Sequence, residues 1–224
     1  MTTTETAIKK TANGNYKVVV KSVHPKGHWG HSEISIFAAD EVLESKLGDY
    51  TRNYPAHGLA TWYPFSLGSK DYALYSRDYT STRLMELPTC KDIGGEEPSS
   101  GGFCPVEYHI PMIQDFRKAP DPNKEGSFIY NAVEEPAQVA FVAGCIWGDD
   151  SSWKIQCFDI SRVESGIITR DERFGYVPMP MGVTLAQSVY VQRDEESGAV
   201  LASLAVMQTY NLDTGAISAV DPFR

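Results

Sequence analysis

The sequence has no long apolar run. Its longest, residues 139–147, is nine residues, about half of what a helix needs to cross a bilayer. A helical membrane span is therefore not expected. Residues 1–16 (MTTTETAIKKTANGNY) hold no apolar stretch of the kind that directs secretion, so a cytoplasmic protein is expected. Long helical stripes are missing too. No apolar pattern of period 3.6 lasts three turns, which argues against strand–helix–strand crossovers and a parallel α/β sheet.

Cysteine is sparse and scattered. Cys90, Cys104, Cys145 and Cys157 are the four, and none has the C-x-x-C spacing of a Cys-rich zinc site. Four free, reduced thiols are expected. Were bridges to form, the spacing suggests Cys145 with Cys157 across a hairpin and Cys90 with Cys104 across a loop. Positive charge is also short. Lys and Arg number 20 against 29 Asp and Glu, a net charge of −9. Residues 1–31 alone run basic, with five Lys and one Glu. An acidic body lacks the basic patch that nucleic-acid backbones require, so no nucleic-acid partner is expected. There is no G-x-S-x-G nucleophile elbow. The glycine-rich stretch 94–102 lacks the Lys of a phosphate-binding loop and reads as a solvated loop.

What the chain does have is strand-forming sequence. Tyr, Phe and Trp number 12, 9 and 4, and aromatic and β-branched residues favour strands. Strand candidates alternate with turn punctuation from end to end. They cover residues 16–23 (YKVVVKSV), 32–38, 59–67, 72–76, 82–87, 106–110, 127–131, 139–147, 153–160, 174–177, 186–192 and 200–210. Ile34 and Ile36 fall on one face of theirs. Two short helical segments are expected. One starts at Asp40 and runs through EVLESKL to a stop at Gly48. The other opens on the capping-box spacing Ser161 to Glu164 and stops at Gly166. Residues 88–105 and 118–126 read as surface loops.

A faint repeat runs through the chain. WKIQCFDISRVESGII and MQTYNLDTGAI both end a strand on Asp159 or Asn211, turn, and resume after Gly166 or Gly215 with Ile167 or Ile217. Strong strand ends fall near residues 38, 86, 160 and 211. This outline resembles generic propeller blades of about 40–50 residues, although no WD dipeptide or kelch diglycine is present. The expected fold is all-β and antiparallel, a small propeller-like array, with a β-sandwich or a cupin-like barrel as the alternative. Residues 1–15 are expected to form a flexible arm, and 16–224 a single all-β domain.

Two constellations could carry function. The first is aromatic. Trp29, Trp62, Tyr63 and Trp153, with Asp149 beside them and Tyr54, Tyr79 and Trp147 nearby, fall at strand joins, where aromatic faces and a carboxylate suit a ligand or partner surface. The same aromatics could instead fill the core. The second is His24-Pro-Lys-Gly-His28-Trp-Gly-His31-Ser-Glu33, three of the five histidines within eight residues. His31 and Glu33, two apart, share a face on a strand. With His28 and the distant His109 they could hold iron or zinc, with Arg117 to receive a co-substrate carboxylate. The H-x-E pair resembles that of cupin-type iron oxygenases. It departs from them in having one strand before it rather than several, and Glu where Asp is usual. The plainer reading of this segment is a polar hairpin loop. The pair Asp149-Asp150 lacks calcium-loop spacing and suits a turn. The expected role is thus binding of a small molecule or a protein, and the alternative is a metal-dependent oxygenase or hydrolase.

Overall fold

The computed structural model describes residues 1–26, 30–39, 44–53, 58–78, 81–96, 103–110, 118–120, 128–130, 139–146, 149–160, 162–170, 177–179, 189–193, 200–204, 208–211 and 217–219. Beyond residue 170, and at residues 58, 96, 103, 104, 109, 118–120, 128–130, 145, 146 and 149–153, the description is of backbone alone. The described chain is all-β and antiparallel. Helix is limited, among the described residues, to two short 3-10 turns, Gly58–Thr61 and Val163–Ser165.

Among the described residues, three sheets are four-stranded meanders, one is five-stranded and one is a two-stranded hairpin. The first sheet is β1 (Thr2–Lys10), β2 (Asn15–Val23), β3 (His31–Ala39) and β4 (Glu44–Asn53), in that order. The second is β5 (Trp62–Leu67), β6 (Lys70–Tyr75), β7 (Thr82–Leu87) and β8 (Lys91–Glu96). The third runs β9 (Phe103–His109), β12 (Val139–Ile146), β13 (Asp149–Asp159) and β14 (Thr169–Arg170), with β15 (Val177–Met179) also paired to β13. The small hairpin of β10 (Lys118–Pro120) and β11 (Phe128–Tyr130) lies between β9 and β12 in sequence. The last sheet is β16 (Val189–Arg193), β17 (Val200–Leu204), β18 (Gln208–Asn211) and β19 (Ile217–Ala219).

Side-chain alternation makes these sheets into layers. In β2, Tyr16, Val18 and Val20 are buried while Lys21 is exposed. In β3, Ile34 and Ile36 are buried and Glu33 is exposed, as the period of two requires. These inward residues pack on Trp62, Ala73, Tyr75, Met85 and Leu87 of the second sheet. The second sheet is covered on its other face as well. Phe65, Tyr72, Leu74 and Leu84 meet Tyr108, Ala140, Val142 and Phe158 of the third. In β6, Tyr72 and Leu74 point one way, Ala73 and Tyr75 the other, so its apolar run is unbroken. Phe141, Ala143, Ile155 and Cys157, on the opposite face of the third sheet, are buried too.

Several expectations need correction. Residues 1–15 do not form an arm. Thr2–Lys10 pairs with β2 at nine successive positions. Its Thr-rich, largely exposed sequence gives no apolar alternation, and only backbone hydrogen bonds reveal it. The helix from Asp40 is overturned where it can be seen, because Glu44–Asn53 is strand β4. Gly48 does not stop a helix. It sits where the β3–β4 register shifts, leaving Leu47 as the extra residue. A Cβ there would lie 2.6 Å from Cβ of Cys90. The second helical segment is a single 3-10 turn without a side-chain cap, closed by Gly166 at φ 72°.

Residues 88–105 are not all loop. Gly94 and Gly95 belong to β8, and the Gly95 amide donates to the Gly166 carbonyl at 3.1 Å. A Cβ on Gly94 would lie 2.0 Å from that same oxygen, so the glycines permit backbone to touch backbone between the second and third sheets. Likewise, Lys118–Pro120 is strand in a stretch that reads as loop. Neither Cys90 nor Cys157 is in a disulfide, and Cys157 stands opposite Phe141, four positions from Cys145, so neither suggested disulfide pairing forms.

Candidate functional site

The two ends of the stack differ in chemistry. At one end the β1–β2 turn rests on the β5–β6 turn through Asp71, itself 5% exposed. Oδ2 of Asp71 accepts from Thr11 Oγ1 and Tyr16 Oη, each at 2.7 Å. Oδ1 accepts from Ser66 Oγ at 2.6 Å and Asn13 Nδ2 at 2.9 Å. Burial alone would raise this carboxyl's pKa. The four hydrogen bonds from Ser66, Thr11, Tyr16 and Asn13 outweigh it and hold the carboxyl below its ordinary range. Four donors on two oxygens leave little capacity for a substrate, so Asp71 is a staple between sheets.

The other end gathers the joins. The Asn53 amide at the end of β4 donates to the Arg77 carbonyl at 3.1 Å, and the Ser76 amide donates to the Thr61 carbonyl at 3.2 Å. Arg52, only 3% exposed, reaches the Pro105 carbonyl of β9 through Nη2 at 3.4 Å. Because β4 ends where β3 begins, this end also holds the β2–β3 join. Because β12 ends beside the start of β9, with Ile146 opposite Phe103, it holds the β12–β13 join as well. At the β6–β7 join, Arg77, Asp78, Ser81 and Arg83 line an open cavity of about 320 Å³. Ser81 is 2% exposed, and its hydroxyl has no hydrogen-bond partner among the described residues. Arg83 is held by Asp92 through Nε at 3.1 Å and Nη2 at 2.7 Å, and Tyr75 donates to the same carboxylate. Tyr108 is buried close by. Its pKa is pushed up to about 12 by burial, against the influence of Thr82, Arg52 and Ser76.

A lysine joins the first strands of three sheets. Lys9 of β1 donates to the carbonyls of Leu59 at 2.6 Å and of Trp62, and Glu107 of β9 acts on it electrostatically. Burial lowers its pKa to about 8 although Glu107 pulls the other way. Nothing in the sequence marks Lys9, since its partners are main-chain oxygens some fifty residues away.

The candidate residues fall out unevenly. Trp62 is fully buried and packs edge-on to Tyr16 with ring centroids 6.2 Å apart. It is a core residue, since its alternation turns it into the interface between the first two sheets. Tyr63, on the other face of β5, is half-buried against the second core cluster. Asp149 begins β13 and Trp153 stands opposite Cys145, both at the gathered end. Trp29 and His28 lie outside the described residues, as do Tyr54, Tyr79, Trp147 and Arg117.

His31 and Glu33 do share a face, but it is the exposed face of the first sheet. His31 Nε2 lies 3.5 Å from Glu33 Oε1, and Lys21 donates to Glu33 Oε2 at 2.8 Å. The hydrogen bond and charge of Lys21 lower the Glu33 pKa. His109 is opposite Phe141, four residues beyond the Pro105 that Arg52 contacts. That is about 13 Å along a strand, so the backbone carries His109 away from the end where His31 starts β3. Among the described residues, no three His, Cys, Asp or Glu side chains cluster as metal ligands, and no helix is long and apolar enough to cross a membrane. Comparison of the sequence with protein-family models and with curated proteins gives no match.

Proposed function

We propose that the protein is a binding module, built as a propeller-like array of four-stranded sheets, that holds a small ligand or a partner protein at the end where the strand joins gather. Three features support the array. Three sheets are four-stranded up-and-down meanders, and a further sheet repeats that order with β15 added and the β10–β11 hairpin inserted after its first strand. The first strands neighbour one another in sequence order, β1 against β5 and β5 against β9, as innermost strands of successive blades do. The second sheet is buried on both faces by its neighbours.

The observation that carries the binding reading is the cavity at Arg77, Asp78, Ser81 and Arg83. Buried hydroxyls nearly always find a partner, and that of Ser81 has none among the described residues. A ligand's polar or anionic group, drawn in by Arg77, would complete it. The backbone of Asp149 and Trp153 lies at this same end, and we include both in the proposed ligand surface with Trp29, Trp62 and Tyr63. The test is a thermal-shift screen of small polar and aromatic ligands, repeated on Arg77→Ala. Arg77 is exposed, so the variant keeps its fold. The reading expects ligands that stabilise the parent protein and lose that effect in the variant. Stabilising ligands whose effect is the same in both proteins would remove its basis.

A further inference from the structure

The geometry points to Cys104 and Cys145 as a cross-strand thiol pair that closes to a disulfide on reaction with a low-molecular-weight disulfide. The two cysteines are 41 positions apart in sequence, yet they are direct partners in the β9–β12 ladder. Residues directly opposite in an antiparallel pair put their Cβ atoms on the same side of the sheet. The register is regular here. Gly144 pairs with Pro105, Cys145 with Cys104 and Ile146 with Phe103, and the shift in this ladder lies earlier, between Ala143 and Gly144. Pro105 has no N–H, so the Gly144–Pro105 pair cannot exchange both ladder hydrogen bonds. The alternation of the ladder then makes Cys104 and Cys145 a hydrogen-bonded pair, with Cα atoms about 5.5 Å apart. Disulfides span that Cα separation, and the Cβ atoms of a hydrogen-bonded pair, about 5.5 Å apart, must close by about 1 Å for the bond to form.

The remaining cysteines are placed to stay out of the exchange. Cys157 is buried and stands across from Phe141. Cys90 sits against Gly48 between the first two sheets, where burial and Asp49 raise its thiol pKa to about 11 and so leave it protonated.

The reaction is ordinary thiol–disulfide exchange. The thiolate of one cysteine attacks a sulfur of the small disulfide, forming a mixed disulfide and releasing one small thiolate. The thiolate of the other then attacks the protein sulfur of that mixed disulfide and expels the second small thiolate. The protein loses two electrons and two protons, and the small disulfide becomes two thiols. The product ties β9 to β12 one residue from the β12–β13 join. The inference stands on backbone register alone and does not depend on the binding reading.

The test is to incubate the full folded chain with oxidised glutathione, block the remaining thiols, and map tryptic peptides without reduction. The four cysteines fall in four separate tryptic peptides, residues 84–91, 92–117, 125–154 and 155–162. The expected product links 92–117 to 125–154, titratable thiols fall from four to two, and Tm rises by about 5–15 °C. Cys104→Ser and Cys145→Ser should each give no linked peptide under the same treatment, the lone remaining partner stopping at the mixed disulfide with glutathione. Four thiols persisting in the folded chain, or a linked peptide containing Cys90 or Cys157, would overturn the proposal.

Discussion

Tyr16 of β2 donates its phenol hydrogen to Asp71 of β6 at 2.7 Å, and that carboxylate also receives Thr11, Asn13 and Ser66. One buried side chain therefore binds two turns, each from a different sheet. Replacing Asp71 by Ala removes the shared acceptor of four donors, of which Thr11 and Asn13 keep the Gly14 and Gly68 carbonyls while Tyr16 and Ser66 lose theirs. The expected cost is about 3 kcal/mol or more, and Tyr16→Phe should cost about 1 kcal/mol. Urea denaturation of the two variants measures both.

The same carboxylate makes stability depend on acid. Its folded pKa is depressed, so its contribution is complete above the unfolded value near 4 and is lost as pH falls through the folded value. The stability gap between the parent and Asp71→Asn should be widest near neutral pH and shrink below about pH 4. A gap that stayed constant down to strong acid would show that the charge contributes nothing.

Lys9 gives the opposite flank. Its folded pKa is lowered to about 8, so between that value and the ordinary lysine value the unfolded chain binds more protons than the folded one. Stability contributed at this site rises with pH across that window. Lys9→Met removes the group that titrates. The stability of the parent relative to Lys9→Met should therefore increase as pH is raised from about 7 to 9.5, read as the difference between two denaturation series.

Gly166 and Gly68 both have positive φ but differ in their surroundings. A Cβ at Gly166 would lie 1.8 Å from the Ile93 carbonyl oxygen, whereas one at Gly68 would meet nothing within 4 Å. Gly68→Ala should cost about 1 kcal/mol, the strain of its backbone conformation. Gly166→Ala should cost several times more, because the second and third sheets must part. Equal effects on Tm would contradict the close contact.

Much of this architecture is legible in the sequence, because half-buried strands write a period of two. The strong strand ends near residues 38, 86, 160 and 211 prove to close β3, β7, β13 and β18, the third strand of each of three four-stranded sheets and of the five-stranded one. The shared outline around Asp159 and Asn211 spans the step from third to fourth strand in two sheets. What escapes is structure held by backbone. Thr2–Lys10 forms a strand without an apolar face, and Glu44–Asn53 reads as a capped helix because Asp40 and Gly48 imitate its ends. The site escapes for another reason. Arg77 and Ser81 look like any turn, and only the packing of β4 and β9 on that turn sets them apart. Of the histidine cluster, so conspicuous in sequence, His31 stands beside Glu33 on the exposed face of the first sheet, where Lys21 also meets that carboxylate.

The most direct measurement is backbone NMR mapping of a stabilising ligand from the thermal-shift screen. Amide shifts should change together at residues 24–33, 76–83 and 147–153, the joins of three different sheets at one end. The β1–β2 and β5–β6 turns around Asp71 should not move. Shifts confined to the Asp71 end, or to the outer face of β1–β4, would contradict a binding site built from the gathered joins.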